Sequence, residues 1–165
     1  MLLAHFNEAE PTELLTALRP CLDIERWAQE IIAARPFADL DELLNTATTA
    51  AAPFTPEEVA SAMAHHPRIG EKASGASAEA SLSRKEQAAV DPADAAVIQA
   101  LAEGNRAYEE RFDQVFLIRA AGRSPQEIID VLHQRLENSA AEEELIVAQQ
   151  LREIAVLRLE GVMSA

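Results

Sequence analysis

Twice in this chain a hydroxyl residue, a proline and a glutamate stand in the order that starts a helix: Thr55-Pro56-Glu57-Glu58 and Ser124-Pro125-Gln126-Glu127. The hydroxyl accepts an exposed N–H of the first turn. The proline occupies a position whose N–H would have no helical partner, and the glutamate reaches back to close a capping box. Apolar residues at helical spacing follow each start. Val59, Ala60 and Met63 are predicted to face inward after the first, and Ile128, Ile129, Leu132 and Leu136 after the second.

The same period recurs elsewhere. Leu22, Ile24, Trp27, Ala28, Ile31 and Ile32 mark a helix that stops at Arg35-Pro36-Phe37, where proline ends it. Leu40, Leu43, Leu44 and Ala47 form another stripe. Asp91-Pro92 opens a long pattern through Val97, Ile98, Leu101, Asn105, Tyr108 and Phe112. A last helix is predicted over residues 140–162, with Leu145, Ala148, Leu151, Ile154 and Ala155 inside. Residues 115–118 are a short apolar run, but a lone strand would have no partner, so buried extended chain is the expectation. There is no internal repeat, sustained heptad or linker. The expected fold is all-α, a single-domain irregular helical bundle over residues 1–165, a length able to build one ordinary core.

Charge narrows the partners. Fourteen Lys plus Arg against 28 Asp plus Glu leave a net charge of −14, a field that repels nucleic acid and anionic lipid. Neither is expected as a partner, and a small anionic substrate would need a local arginine. The single cysteine, Cys21, excludes an internal disulfide framework and a paired-cysteine metal site, and fits a reducing compartment. The sequence shows no export leader, no apolar run near the roughly 18 residues of a membrane span and no peroxisomal terminal signal. A cytoplasmic protein is the expectation.

Three places can carry chemistry. His66 stands where Pro67 stops a helix and forces an extended backbone, beside a loop over residues 68–80 with glycines at 70 and 75. Such a ring can cap the last carbonyls, the commoner outcome, or enter a pocket and titrate near neutral pH. His65 is expected to be still helical and turned away by roughly 100°, and His5 and His133 to be ordinary surface residues. No zinc-protease motif appears, and adjacent histidines cannot both grip one metal from a regular helix, so no metal is expected. Ser83-Arg84-Lys85-Glu86-Gln87 has the spacing of a capping box, which residues alone favour, although Ser83 and Glu86 on one helix face could also bind a polar ligand. Arg158 falls on the apolar stripe of Leu151 and Ile154, so its guanidinium must snorkel outward, the commoner outcome, or reach into a polar cavity. There it could hold a carboxylate or ureido oxygen through two hydrogen bonds. Arg119 and Arg152 are weaker rivals.

Taken in order, Trp27-Ala28 with Arg35-Pro36-Phe37, then Ala64-His65-His66-Pro67-Arg68-Ile69-Gly70, Ser83 with Glu86-Gln87, and Asn105 with Tyr108 and Phe112 resemble one family. The resemblance continues through Phe116-Leu117-Ile118, Gly122-Arg123-Ser124 and Leu157-Arg158-Leu159. The family is 2-oxo-4-hydroxy-4-carboxy-5-ureidoimidazoline (OHCU) decarboxylase. The resemblance implies an all-α homodimer, acting without a cofactor, that converts a urate-derived ureidoimidazoline to (S)-allantoin and carbon dioxide. It implies that His66 is the essential catalytic histidine and Glu86 its acidic partner. Pro67, Ser83, Gln87 and Arg158 would line the pocket, and backbone groups of Phe116, Leu117 and Ile118 would contact the ring. Many members read His-Pro-Asp-Leu-Ala-Gly where this chain has His66-Pro67-Arg68-Ile69-Gly70, and the frequent Ala-Arg after the apolar run is here Ala120-Ala121, departures that bear on loop contacts. A helical interaction module without a pocket, and a hydrolase of a related ureide, are the alternative classes.

Overall fold

The structure is a computed structural model and describes residues 1–71, 76–88 and 94–164. Among these residues the regular elements are all helices: α1 (Leu3–Glu8), α2 (Pro11–Leu18), α3 (Glu25–Ala33), α4 (Leu40–Thr49), α5 (Pro56–Met63), α6 (Ala78–Glu86), α7 (Ala95–Phe112), α8 (Pro125–Arg135) and α9 (Ala140–Ser164). The all-α expectation holds. The two capping boxes marked by a proline close, Thr55 with Glu58 and Ser124 with Glu127. Another, unanticipated, starts α9: Ser139 N–H donates to the Glu142 carboxylate at 2.7 Å and Glu142 N–H donates to Ser139 Oγ at 3.3 Å. Asp91 and Pro92 lie outside the described residues; α7 is capped by Asp94, whose side chain accepts from Ala96 and Val97 N–H. No helix among the described residues is long and apolar enough to cross a membrane.

The chain groups into two compact units. Met1–Ala64 with Leu151–Ala165 forms one, and His65–Gln150 the other. In the first, Phe6, Leu14, Leu18, Trp27, Ile31 and Leu43 are fully buried, and removing each such side chain from water is worth roughly 1.5–3 kcal/mol. Trp27 satisfies its indole N–H on the Ala47 carbonyl at 2.9 Å, tying α3 to α4. Asn7 makes a reciprocal pair with the Phe37 backbone, both bonds at 2.9 Å.

In the second unit, α7 and α8 pack together over Ile69, Leu101, Tyr108, Phe116, Ile118, Ala120, Ile128, Ile129 and Leu132. Gly104 allows the close approach: a Cβ there would meet Leu132 Cδ2 at 2.5 Å. α7 ends at Asp113, whose left-handed conformation (φ 53°) breaks the helix. Residues 115–120 follow with neither helix nor strand; within the run expected as buried extended chain over 115–118, Phe116, Leu117 and Ile118 are buried.

Several inward assignments change. Leu145 is 75% exposed, while Val147, Leu151, Ile154, Ala155 and Leu159 are buried. The true stripe also passes through Glu143, and Leu145 lies roughly 200° round the helix from it. Ala60 is exposed and the inward face of α5 is Ala62 and Met63. Ile98, at 39%, is also exposed.

Candidate active site

α5 ends at Met63, with Ala64 as its C-cap, so His65 sits in a turn rather than in the helix as predicted. It is exposed, whereas His66 and Pro67 are half-buried. The chain that follows is fastened at three successive residues. Arg68 pairs with Glu109 of α7, Nη2 donating to Oε2 at 3.1 Å. The Ile69 side chain is buried, and its carbonyl accepts from Asn105 Nδ2 at 2.9 Å. Gly70 adopts φ +86°, a left-handed conformation that disfavours any side chain, and its N–H donates to Gln87 Oε1 at 2.9 Å. These anchors all fall within four residues of His66, on the side where Pro67 already restricts the backbone.

Gln87 is the C-cap of α6. That placement overturns the capping-box reading of Ser83 and Glu86. The helix is started by Ser77, whose side chain accepts from Ala80 N–H, and Ser83 and Glu86 belong to its last turns. Ser83 is buried at 3% exposure and Glu86 is half-buried. A helix C-terminus favours cations, and Arg84 and Lys85 supply them there. The helix dipole gives the Glu86 carboxylate no support there. Of the loop expected over residues 68–80, the last three residues, Ala78 to Ala80, are already the first turn of α6, and residues 72–75 lie outside the described residues.

Phe116, Leu117 and Ile118 are all buried, and Phe116 and Ile118 share the Ile69 core. Through that core and the Gly70–Gln87 bond, the second unit brings together the chain after His66, the end of α6 and the 116–118 segment. Arg158 belongs to the first unit. It does not snorkel: it is 5% exposed, and Nη1 donates to the Pro20 carbonyl at 3.1 Å. Arg152, also of that unit, lies 4.0 Å from the Phe54 ring centroid and donates to the Ala50 carbonyl at 2.6 Å. Burial, and after it the charge of Arg26, lower its pKa. His5 is exposed with its Nε2 in hydrogen-bond contact with Glu13, and His133 is exposed on α8.

Sequence reasoning missed Arg135 and Glu143, which are 5% and 0% exposed. Arg135 Nη2 meets Glu143 Oε2 at 2.8 Å, Tyr108 Oη donates to the same carboxylate, and Asn138 Nδ2 donates to Oε1 at 3.0 Å. Burial pushes the Glu143 carboxyl up, yet the hydrogen bonds from Arg135, Tyr108 and Asn138 hold it below its usual value. Burial, reinforced by Glu143, pushes the Tyr108 hydroxyl up to about 12. The available signal was the one that singled out Arg158: a charge on an apolar stripe, Arg135 three residues after Leu132 and Glu143 four before Val147. Among the described residues no cluster of three or more His, Cys, Asp or Glu is placed to hold a metal.

Comparison with known proteins places this arrangement in context. A crystal structure of an OHCU decarboxylase in the presence of (S)-allantoin superposes with a TM-score of 0.72 at 23% identity, covering 95% of this chain and all of that one. A crystal structure of an (S)-allantoin synthase gives a TM-score of 0.71 at 12% identity, covering 99% of this chain and 54% of that one. A search of curated protein sequences found no match. These likenesses establish a shared fold, and the family model for OHCU decarboxylase matches residues 7–160. By that match over nearly its whole length, the chain belongs to the OHCU decarboxylase family and is a carboxy-lyase.

Proposed function

We propose that this chain converts 2-oxo-4-hydroxy-4-carboxy-5-ureidoimidazoline to (S)-allantoin and carbon dioxide, with His66 as general acid/base. The observation that carries the reading is His66 itself, half-buried, next to proline, and followed by three residues fastened to α7 and to the end of α6, in a chain that matches the family throughout. The (S)-allantoin present with the structurally similar decarboxylase supports the product class.

The substrate supplies its own electron sink. When the carboxylate carbon leaves as carbon dioxide, the bonding pair forms a double bond to the ureido-bearing carbon, and the ring C=N pair moves to nitrogen, which takes a proton. The hydroxyl proton then leaves, the carbonyl forms, and a proton arrives at the ureido-bearing carbon. No external electron acceptor is needed, so the protein's task is to position the substrate and move protons. His66 takes the hydroxyl proton, and His66, or Glu86 through it, delivers the proton to carbon. Delivery from one face yields one enantiomer. Pro67, Ser83, Gln87 and the backbone of Phe116, Leu117 and Ile118 bind the ring. A cytoplasmic homodimer is part of the same reading.

The test is incubation of purified protein with freshly generated substrate, following carbon dioxide and the chirality of allantoin. Carbon dioxide release with (S)-product, lost in folded His66→Ala and retained in His65→Ala, is the expected result. A ring-opened product without carbon dioxide would show a hydrolase instead, and full activity in folded His66→Ala would remove the role of that histidine.

A further inference from the structure

We propose that Arg135, held by Glu143, is a positioning residue that sets the 116–118 backbone for ligand binding, with Gln150 fixing the segment's other end. The inference rests on the decarboxylase reading above. A buried segment that is neither helix nor strand has no ladder to satisfy its N–H and C=O groups, so something else must. Here side chains do it. Arg135 Nη1 donates to the Leu117 carbonyl at 2.6 Å, and the Arg119 N–H donates to Gln150 Oε1 at 2.9 Å. The Arg135 guanidinium also lies 4.6 Å from the Phe116 ring centroid. One cation thus touches two of the three residues in the segment.

The rest of the guanidinium is bound as rigidly. Nε reaches both Glu143 oxygens at 3.1 Å and Nη2 reaches Oε2 at 2.8 Å, while Tyr108 and Asn138 complete the carboxylate's partners. A buried ion pair of this kind is seldom more stabilising than apolar residues of the same volume, because desolvation offsets the Coulomb attraction. Its specific product is direction: a planar fork locked by Glu143 through Nε and Nη2 aims Nη1 at one carbonyl. Lysine at this position could pair with Glu143 but could not hold the carboxylate and the Leu117 carbonyl in the same geometry. A network that served folding alone would change stability and leave ligand affinity untouched.

The test uses the full chain with Arg135→Lys and Gln150→Met, assayed for kcat, KM and melting temperature well below the transition of each variant. Positioning predicts KM raised by about five- to tenfold in each, as loss of one hydrogen bond to the segment would give, with kcat changed by less than about twofold. Unchanged KM in folded variants overturns the proposal, and so does a fall in kcat at constant KM. An inert wild type overturns the decarboxylase reading and this inference with it, whereas an active wild type with indifferent variants removes this inference alone. Should neither variant fold, the Arg135 Nε–H resonance of the intact protein decides: it shifts on addition of (S)-allantoin if the network senses the ligand segment, and an unmoved resonance under saturating (S)-allantoin overturns the proposal.

Discussion

The Gly70 N–H donates to the side-chain oxygen of Gln87 at 2.9 Å, joining the chain four residues after His66 to the residue that closes α6. The bond couples two segments 17 residues apart in sequence. It also gives Gln87 a job in holding the loop, independent of any contact with substrate.

Substitutions at the two ends of that bond should separate. Gln87→Glu keeps an acceptor for Gly70 and should leave the melting temperature near wild type, whereas Gln87→Leu should cost about 1 kcal/mol. Gly70→Ala places a Cβ at φ +86° and 3.1 Å from Leu101 Cδ1. The backbone alone makes that worth roughly 1–2 kcal/mol of destabilisation. Urea denaturation measures all three, and a fully stable Gly70→Ala would contradict the left-handed conformation.

Ser83 and Glu86 lie at the end of α6, not at its start. Ser83→Ala and Glu86→Gln should therefore not show loss of a helix N-cap. Ser77→Ala should, by about 0.5–2 kcal/mol. Turnover should follow the opposite order, with Glu86→Gln slowed by about 100-fold or more, the range of a positioned acid/base. Equal activity in folded Glu86→Gln would return that carboxylate to the surface charge of α6.

Acid and alkali should act on the same buried cluster through different groups. The Glu143 pKa is lowered in the fold, so the native state binds fewer protons than the unfolded chain as pH falls below 4.5, the ordinary value for a glutamate. The stability it contributes is present above that value and is lost as pH falls through the folded pKa. The Tyr108 pKa is raised from 10.0 to about 12, so its contribution is complete below pH 10 and lost between 10 and 12. Melting temperatures from pH 3 to pH 12 should show both limbs. Glu143→Gln should flatten the acid limb and Tyr108→Phe the alkaline one, even if each lowers stability at neutral pH.

Gly104→Ala tests packing rather than conformation. Alanine improves helix propensity by about 1 kcal/mol, but the added methyl would stand 2.5 Å from Leu132 Cδ2, in a residue that is 1% exposed. Overpacking of this kind costs about 1–3 kcal/mol, so a net loss is expected. Leu132→Val in the same chain should recover part of it, and strictly additive effects would show that α7 and α8 do not meet there.

Sequence alone determined where two helices start and roughly where most run. Thr55-Pro56 and Ser124-Pro125 act within one turn of chain, and a three-to-four-residue apolar period needs no knowledge of partners. The motif order around His66, Ser83, Glu86 and Arg158 also sufficed to place the chain in its family, as the match over residues 7–160 shows. Spacing could not say which hydroxyl caps α6, because Ser77 and Ser83 can both accept an N–H and the choice depends on where the preceding chain enters. Nor could it tell a snorkelling Arg158 from one buried against the Pro20 carbonyl, a contact 138 residues away in sequence. The same limit hid Arg135 and Glu143. A charge on an apolar stripe is favourable only if partners meet it there, and Tyr108, Leu117 and Asn138 come to that pair from separate parts of the second unit. Local signals specify helices because their energies close within a few residues, whereas desolvation of a buried charge is offset only by contacts that the tertiary fold assembles.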